Sequence, residues 1–173
     1  MGHFLSSHLF AAPWRAPLFF RLLLGGWLLL AGTGLRAAED VAVVPLPGSD
    51  FVSAREALVE AIEAEGLVVS AQIPFNRMLA RTAEAVGQTA SPYGDAEIIQ
   101  FCSSGLAWQM VGEEAGQLAL CPLSIAVYRT IAEPGQVFLA YRRPGTSSAA
   151  RLRADELLRH LVVRAGELAR LRW

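Results

Sequence analysis

The stretch that decides the fold is IIQFCSSGLAWQMVGEEAGQLALCPLSIAVYR, Ile98–Arg129, which carries both cysteines of the chain and its densest apolar pattern. The residues before Cys102 alternate between two faces, as a strand does. A serine cap then begins a helix that runs to about residue 114, and a second strand is predicted over about 118–131. This order predicts Cys102 at the end of one strand and Cys121 at the start of the next, so both thiols are expected at the same end of the sheet.

The residues before this stretch predict two further strands and two helices. Val41–Leu46 and residues 67–73 are short apolar runs bounded by proline or glycine, which is typical of strands. Ser53 and Glu56 have the spacing of a capping box at the start of a helix. Residues 76–86 repeat apolar positions at helical spacing. The chain from residue 41 onward therefore predicts short strands alternating with helices in a single domain.

The chain after the central stretch predicts a hairpin and a last helix. The sequence EPGQ at 133–136 has the residues of a type II turn. If these four residues form the whole loop, Tyr128 lies opposite Tyr141, which predicts an exposed tyrosine pair on the sheet. Residues 151–173 place leucines on one side and arginines on the other, so they predict a C-terminal amphipathic helix packed on the sheet.

The N-terminus has the pattern of a secretory signal peptide. Arg15 and Arg21 precede an apolar run at 22–35, which is shorter than the roughly 20 residues that span a bilayer. Arg36 and the small residues Ala37 and Ala38 follow, which is where a signal peptidase could cut. This predicts removal of residues 1–37 and a periplasmic or secreted protein. An uncleaved leader that anchors the chain is the alternative, and it is the one contact with a membrane that we expect.

Charge and motifs exclude several classes of function. The chain has 15 basic and 16 acidic residues, and the leader holds three of the arginines and no acid. Its removal leaves 12 basic against 16 acidic residues, a net charge of −4, so nucleic acid is not expected as a partner. His160 is the one histidine of the mature sequence, and neither a Ser/His/Asp set nor a glycine-rich nucleotide motif accompanies it. The sequence therefore predicts a protein that is not an enzyme.

The two cysteines leave three interpretations open. An exported chain with an even number of cysteines favours a disulfide between Cys102 and Cys121. Alternatively, the two thiolates and the thioether of Met110 form a soft-metal site for Cu(I), or a haem-iron site. Thiol–disulfide exchange is the third interpretation, although the pair lacks the Cys-x-x-Cys spacing. Trp108, on the opposite side of its helix from Met110, is a further candidate for a contact surface.

The same segments resemble a known family. The sequence FC before a helix, then CPLSIAVY, a Pro-Gly turn and VFLAYRRP is similar to the small bacterial domain-of-unknown-function family 302, and EAEGLVVSAQI resembles that family's opening. The similarity covers residues 41–144. It implies an α+β fold with a curved, mainly antiparallel sheet and helices packed on one face, and it implies that homodimers are common. The resemblance implies no activity.

These observations together predict an exported, non-enzymatic binding or accessory domain, held by a Cys102–Cys121 disulfide and without a cofactor. The alternative is a copper, haem or thiol-redox protein that acts through the two cysteines. The expected partners are a second copy of the chain and an unknown protein or small apolar ligand. Trp108, Tyr128 and Tyr141 are the candidate contact surface.

Overall fold

The five strands pair into one antiparallel sheet in the order β1-β5-β4-β3-β2. A computed structural model describes residues 40–172, so the predicted signal peptide at 1–37 lies outside the described residues. The strands are β1 (Val41–Leu46), β2 (Val68–Ile73), β3 (Tyr93–Cys102), β4 (Leu123–Thr130) and β5 (Val137–Arg142). The helices are α1 (Phe51–Ala64), α2 (Phe75–Thr82), α3 (Ser104–Glu113) and α4 (Ala149–Arg170), with 3₁₀ turns at Glu84–Val86 and Ala115–Leu120.

The core lies between one face of the sheet and the helices α1 and α4. Because successive strand residues point to opposite faces, every second residue of the strands enters this core, for example Ile99 and Phe101 of β3. The helices contribute stripes at helical spacing, including Leu58 of α1 and Leu161 of α4. Burial of one such aliphatic side chain contributes about 1.5–3 kcal/mol. The predicted α+β fold, with an antiparallel sheet and helices in a single domain, is confirmed.

Helix α1 begins earlier than the capping pattern predicts. Asp50, and not Ser53, is its N-cap, and the Asp50 carboxylate accepts hydrogen bonds from the Ser53 backbone N–H at 3.0 Å and from the Ser53 hydroxyl at 2.7 Å. These two bonds lower the pKa of the Asp50 carboxyl. A carboxylate competes well for the free N–H groups of a first turn, which moves the start of the helix three residues towards the N-terminus.

The second predicted helix is shorter and more exposed than its periodicity suggests. Helix α2 ends at Thr82, a 3₁₀ turn follows, and Gly87 takes the left-handed conformation that closes the segment. None of residues 75–82 is buried, because α2 lies beside the first half of β3 and not over the core. The Asn76 amide fixes it there by donating to the Gly94 carbonyl at 2.8 Å.

The β4–β5 hairpin has a different register from the predicted one. Tyr128 pairs with Phe138 and not with Tyr141, because β4 ends at Thr130 and the EPGQ turn is only part of the connection to β5. The register is displaced by three residues, and an odd displacement moves a side chain to the other face. Tyr141 is consequently in the core, 5% exposed. The predicted Tyr128–Tyr141 surface pair is therefore wrong.

Two hydrogen bonds join the central stretch to the C-terminal helix. The Glu113 carboxylate at the end of α3 accepts from the Ala150 N–H at 2.9 Å, and the Gln117 side-chain amide donates to the Ser148 hydroxyl, the N-cap of α4, at 3.4 Å. Hydrogen bonding to Ser148, the largest cause, lowers the pKa of the Glu113 carboxyl. An acid at a helix N-terminus is favourable because it faces the positive end of the helix dipole. The predicted amphipathic helix thus exists as α4 and forms part of the core.

Candidate functional site

The two cysteines are free thiols, so the predicted disulfide is not formed. Cys102 is the last residue of β3 and is exposed, on the face opposite to Phe101. Cys121 lies between the second 3₁₀ turn and β4, half-buried against the core. Since Phe101 pairs with Leu123, the continued register aligns Cys102 with residue 122 and not with Cys121. Cys102 and Cys121 are therefore not a directly opposed pair across the two strands.

The sulfur-containing residues nevertheless border one small crevice. Cys102, Cys121 and Met110 line it together with apolar side chains of α3, and Met110 is completely buried. Burial, with Cys102 nearby, raises the pKa of the Cys121 thiol. A thiol with a raised pKa is mostly protonated at neutral pH and is a poor nucleophile. Within residues 40–172, no group of three or more His, Cys, Asp or Glu side chains is placed to hold a metal ion.

A cleft of about 450 Å³ is built around an ion pair. Arg129 donates two hydrogen bonds to the Asp95 carboxylate and one, at 3.3 Å, to the Pro134 carbonyl. Phe51 and Val137 are among the apolar residues that line the same cleft. The guanidinium is engaged by its Nε and both terminal nitrogens, so it joins β3, β4 and the hairpin loop. We interpret Arg129 as a structural group.

The face of the sheet opposite the core carries rows of apolar and aromatic side chains. Neither α1 nor α4 packs on it, and its residues do not belong to the core cluster. The strand pairing arranges its side chains in rows across the strands. One row crosses all five strands, and the next crosses β1, β5, β4 and β3. The first row is Val43, Ala140, Ala126, Ile98 and Ile73, and the second is Pro45, Phe138, Tyr128 and Ala96. We call these nine residues the outer face.

The aromatic side chains of the outer face form a continuous series of contacts. The rings of Tyr128 and Phe138 stack with centroids 5.3 Å apart and an interplanar angle of 19°. Tyr93 meets Tyr128 edge to face at 5.6 Å, and Phe75 meets Tyr93 in the same manner at 6.4 Å. Partial burial, followed by the proximity of Tyr93, raises the pKa of the Tyr128 hydroxyl. Tyr128 and Phe138 are each only half-buried, so this series is an ordered apolar surface open to solvent.

The outer face is unusual in its chemistry. Antiparallel sheets that are covered on one side commonly place polar residues on the other. The adjoining row of this sheet face follows that rule with Gln100, Ser124 and Arg142, whereas none of the nine residues of the outer face is charged. A contiguous exposed apolar patch marks an interaction site more often than it marks ordinary surface. Of the sequence candidates, Tyr128 belongs to this surface and Tyr141 does not, while Trp108 is 78% exposed on α3.

The sequence did not indicate Phe138, Ala126, Ala140 and Ile98 as members of one surface. Each strand's alternation was visible, but which strand residues align across the sheet depends on register, and register depends on the hairpin loop. A hydrophobic pattern on the second face of β4 and β5 is the one signal that could have found them. β5 is apolar at every position except Arg142, and residues 125–128 of β4 are apolar without interruption.

One protein-family model matches most of the chain. The family model described as "Domain of unknown function DUF302" matches residues 43–167. The chain belongs to the DUF302 family. The family match extends into α4, which the resemblance to 41–144 did not include. Membership of the DUF302 family does not assign an activity to the chain.

A solved structure has a similar fold. It is described as the crystal structure of an uncharacterised conserved DUF302 protein from Bacillus stearothermophilus, and it is 18% identical, with a TM-score of 0.51. The similarity covers 76% of this chain and 97% of that chain. At this identity the likeness supports the DUF302 fold alone. No curated protein matches the sequence. Among the described residues, no helix is long and apolar enough to cross a membrane.

Proposed function

We propose that this DUF302 protein is a non-catalytic binding module and that the outer face is its contact surface. The observation that supports it best is the stack of Tyr128 and Phe138, flanked by Tyr93, on a sheet face that α1 and α4 leave uncovered. Aromatic side chains lose little conformational entropy on binding and present a large apolar area. An ordered aromatic surface without charges therefore suits an apolar ligand or the apolar patch of another protein.

An anilinonaphthalene sulfonate dye, which fluoresces on ordered apolar surfaces, tests this proposal in dilute protein. We expect the double variant Tyr128→Ser, Phe138→Ser to lose most of the dye fluorescence, because it removes the stacked rings from the outer face. Val163→Ser is the matched control, since Val163 is an exposed apolar residue of α4 away from the sheet. Equal fluorescence of all three proteins would contradict the proposal.

We also propose that the module acts outside the cytoplasm, in the periplasm or the medium. The support is the leader at 1–37, whose arginines precede a short apolar run that ends in alanines. The mass of the protein recovered from the exported fraction should correspond to a chain that begins at Ala38. A full-length chain confined to the membrane fraction would indicate an anchor instead.

Cu(I) binding is a second candidate function, favoured by the crevice that Cys102, Cys121 and Met110 line together. Thiolate and thioether sulfurs are the ligands that Cu(I) prefers. Neither cysteine is in a disulfide, and a bound Cu(I) would displace the thiol protons. We expect competition with a Cu(I) chelator to give one bound ion, and Met110→Leu to weaken it with little loss of core volume. Cu(I) binding that survives replacement of both cysteines by serine would refute this site.

A further inference from the structure

We infer that the cleft beside the Asp95–Arg129 ion pair binds a neutral sugar. The cleft of about 450 Å³ lies between the start of α1 and the loop that joins β4 to β5. Its volume is within the range of about 300–1,000 Å³ that small-molecule sites have. None of the nine residues of the outer face lines it, so this site is separate from the contact surface proposed above.

Asp95 presents to the cleft an acceptor that the protein itself does not use. Arg129 donates both of its hydrogen bonds to the same oxygen, Asp95 Oδ2, and Oδ1 accepts none from residues 40–172. Because Arg129 also donates to the Pro134 carbonyl, the guanidinium is held in place and fixes the carboxylate in turn. The Asp95 side chain is 38% exposed, so a ligand can reach it. A fixed acceptor loses little conformational entropy on binding.

Ser49 adds a hydroxyl that is almost enclosed. Ser49 lines the cleft and is only 6% exposed, yet within the described part of the chain its hydroxyl makes no hydrogen bond. A buried hydroxyl without a partner costs about 1–3 kcal/mol relative to its hydration in water. A hydroxyl group of a ligand in the cleft would supply the missing partner.

Phe51 contributes an aromatic ring and a backbone donor. It is the first residue of α1, where N–H groups have no partner within the helix. Its half-buried ring lines both this cleft and an adjoining one of about 220 Å³. The adjoining cleft adds Arg77 and Glu97, one charge of each sign. Since the face of an aromatic ring is negative, the CH groups on the face of a sugar ring pack favourably on it.

The charges of the cleft disfavour ionic ligands. Arg129 balances the charge of Asp95, and Asp50 accepts from Ser53 with both oxygens at the positive end of the α1 dipole. Two carboxylates repel an anion, and a cation would find neither carboxylate without a partner. An apolar ligand would leave Ser49 and Asp95 Oδ1 unpaired. The class that satisfies all of these groups is neutral, with hydroxyls at its edge and apolar faces, as a sugar has.

Saturation-transfer NMR of the purified protein with glucose, galactose and maltose tests this inference. We expect at least one of these sugars to bind. Asp95→Asn should weaken its binding about tenfold, because the amide oxygen stays on Arg129 and an NH₂ donor replaces the Oδ1 acceptor in the cleft. Ser49→Ala should weaken it about fivefold and is the deciding variant if Asp95→Asn does not fold. Circular dichroism establishes folding of each variant.

Ser124→Ala is the matched control, since Ser124 is a half-buried serine on the opposite face of the sheet and its truncation should leave sugar binding unchanged. Failure of all three sugars to bind would overturn the inference, as would binding that neither Asp95→Asn nor Ser49→Ala weakens. Cyclohexylamine and cyclohexanecarboxylate, rings of similar size with a charge, should bind less tightly than the sugar. Tighter binding of either would assign the cleft to an ionic ligand.

The Tyr128→Ser, Phe138→Ser variant locates the bound sugar. We expect this variant to bind the sugar as the unsubstituted protein does, because the stacked rings do not line the cleft. Sugar binding that is lost in this variant and kept in Asp95→Asn would place the sugar on the outer face and refute the cleft as its site.

Discussion

Replacement of Phe101 by alanine should lower the free energy of unfolding by about 3–5 kcal/mol, the usual cost of truncating a buried phenylalanine. Phe101 is completely buried in the face of β3 that packs on the helices. It pairs with Val69 of β2 and Leu123 of β4, both of which point into the same core. Removal of the ring would leave a cavity that two hydrogen-bonded neighbouring strands cannot close. Chemical denaturation in dilute protein measures the change.

Phe138→Ala is the matched control for this experiment, because it makes the same chemical change on the opposite face. Phe138 is half-buried and stacks on Tyr128, so its truncation removes less buried area and leaves no enclosed cavity. We expect it to cost about 1 kcal/mol, in proportion to the smaller area lost. Equal destabilisation by the two substitutions would mean that the two faces of the sheet are assigned incorrectly.

Gly166→Leu should destabilise the domain by about 1–3 kcal/mol through overpacking. Gly166 lies in α4, where the helix crosses β1, and a Cβ atom built on it would be 3.2 Å from Leu46 Cδ2. A leucine has no space there unless the helix moves off the sheet. The thermal midpoint and the denaturation curve measure the loss.

Two further variants show whether the cause is this contact. Leu46→Ala opens space on β1, so the double variant Leu46→Ala, Gly166→Leu should be less destabilised than the sum of the single variants. Gly112→Ala in α3 is the opposite case, since a Cβ at Gly112 would have no neighbour within 4 Å. It should stabilise by about 0.5–1 kcal/mol because alanine favours the helix. Additive losses in the double variant would contradict the proposed contact.

Local patterns in the sequence predicted most of the elements of the fold. The alternation of the residues before Cys102 identified β3, and the spacing of Leu58 and Ile62 identified the buried side of α1. These assignments depend on periodicity within one segment, which hydrophobic burial imposes directly. The position of Met110 on the inner side of α3 was predicted for the same reason.

The features that the sequence did not predict depend on relations between segments. The Tyr128–Tyr141 pairing assumed that the EPGQ turn is the whole loop, and one wrong loop length displaced every pair of the hairpin. The Cys102–Cys121 disulfide assumed that nearness along the sheet implies facing side chains, whereas the β3–β4 register separates them. The N-cap of α1 depended on which of two side chains, Asp50 or Ser53, accepts hydrogen bonds from the free N–H groups of the first turn.

Helix α4 is the last segment of the chain and supplies Leu158, Leu161 and Val162 to the middle of the core. Its packing partner α1 is about 100 residues earlier in the chain, so their contact is among the most distant along the sequence. The domain therefore cannot complete its core until α4 has left the ribosome. A domain that stays unfolded during most of its synthesis would suit the export that we propose.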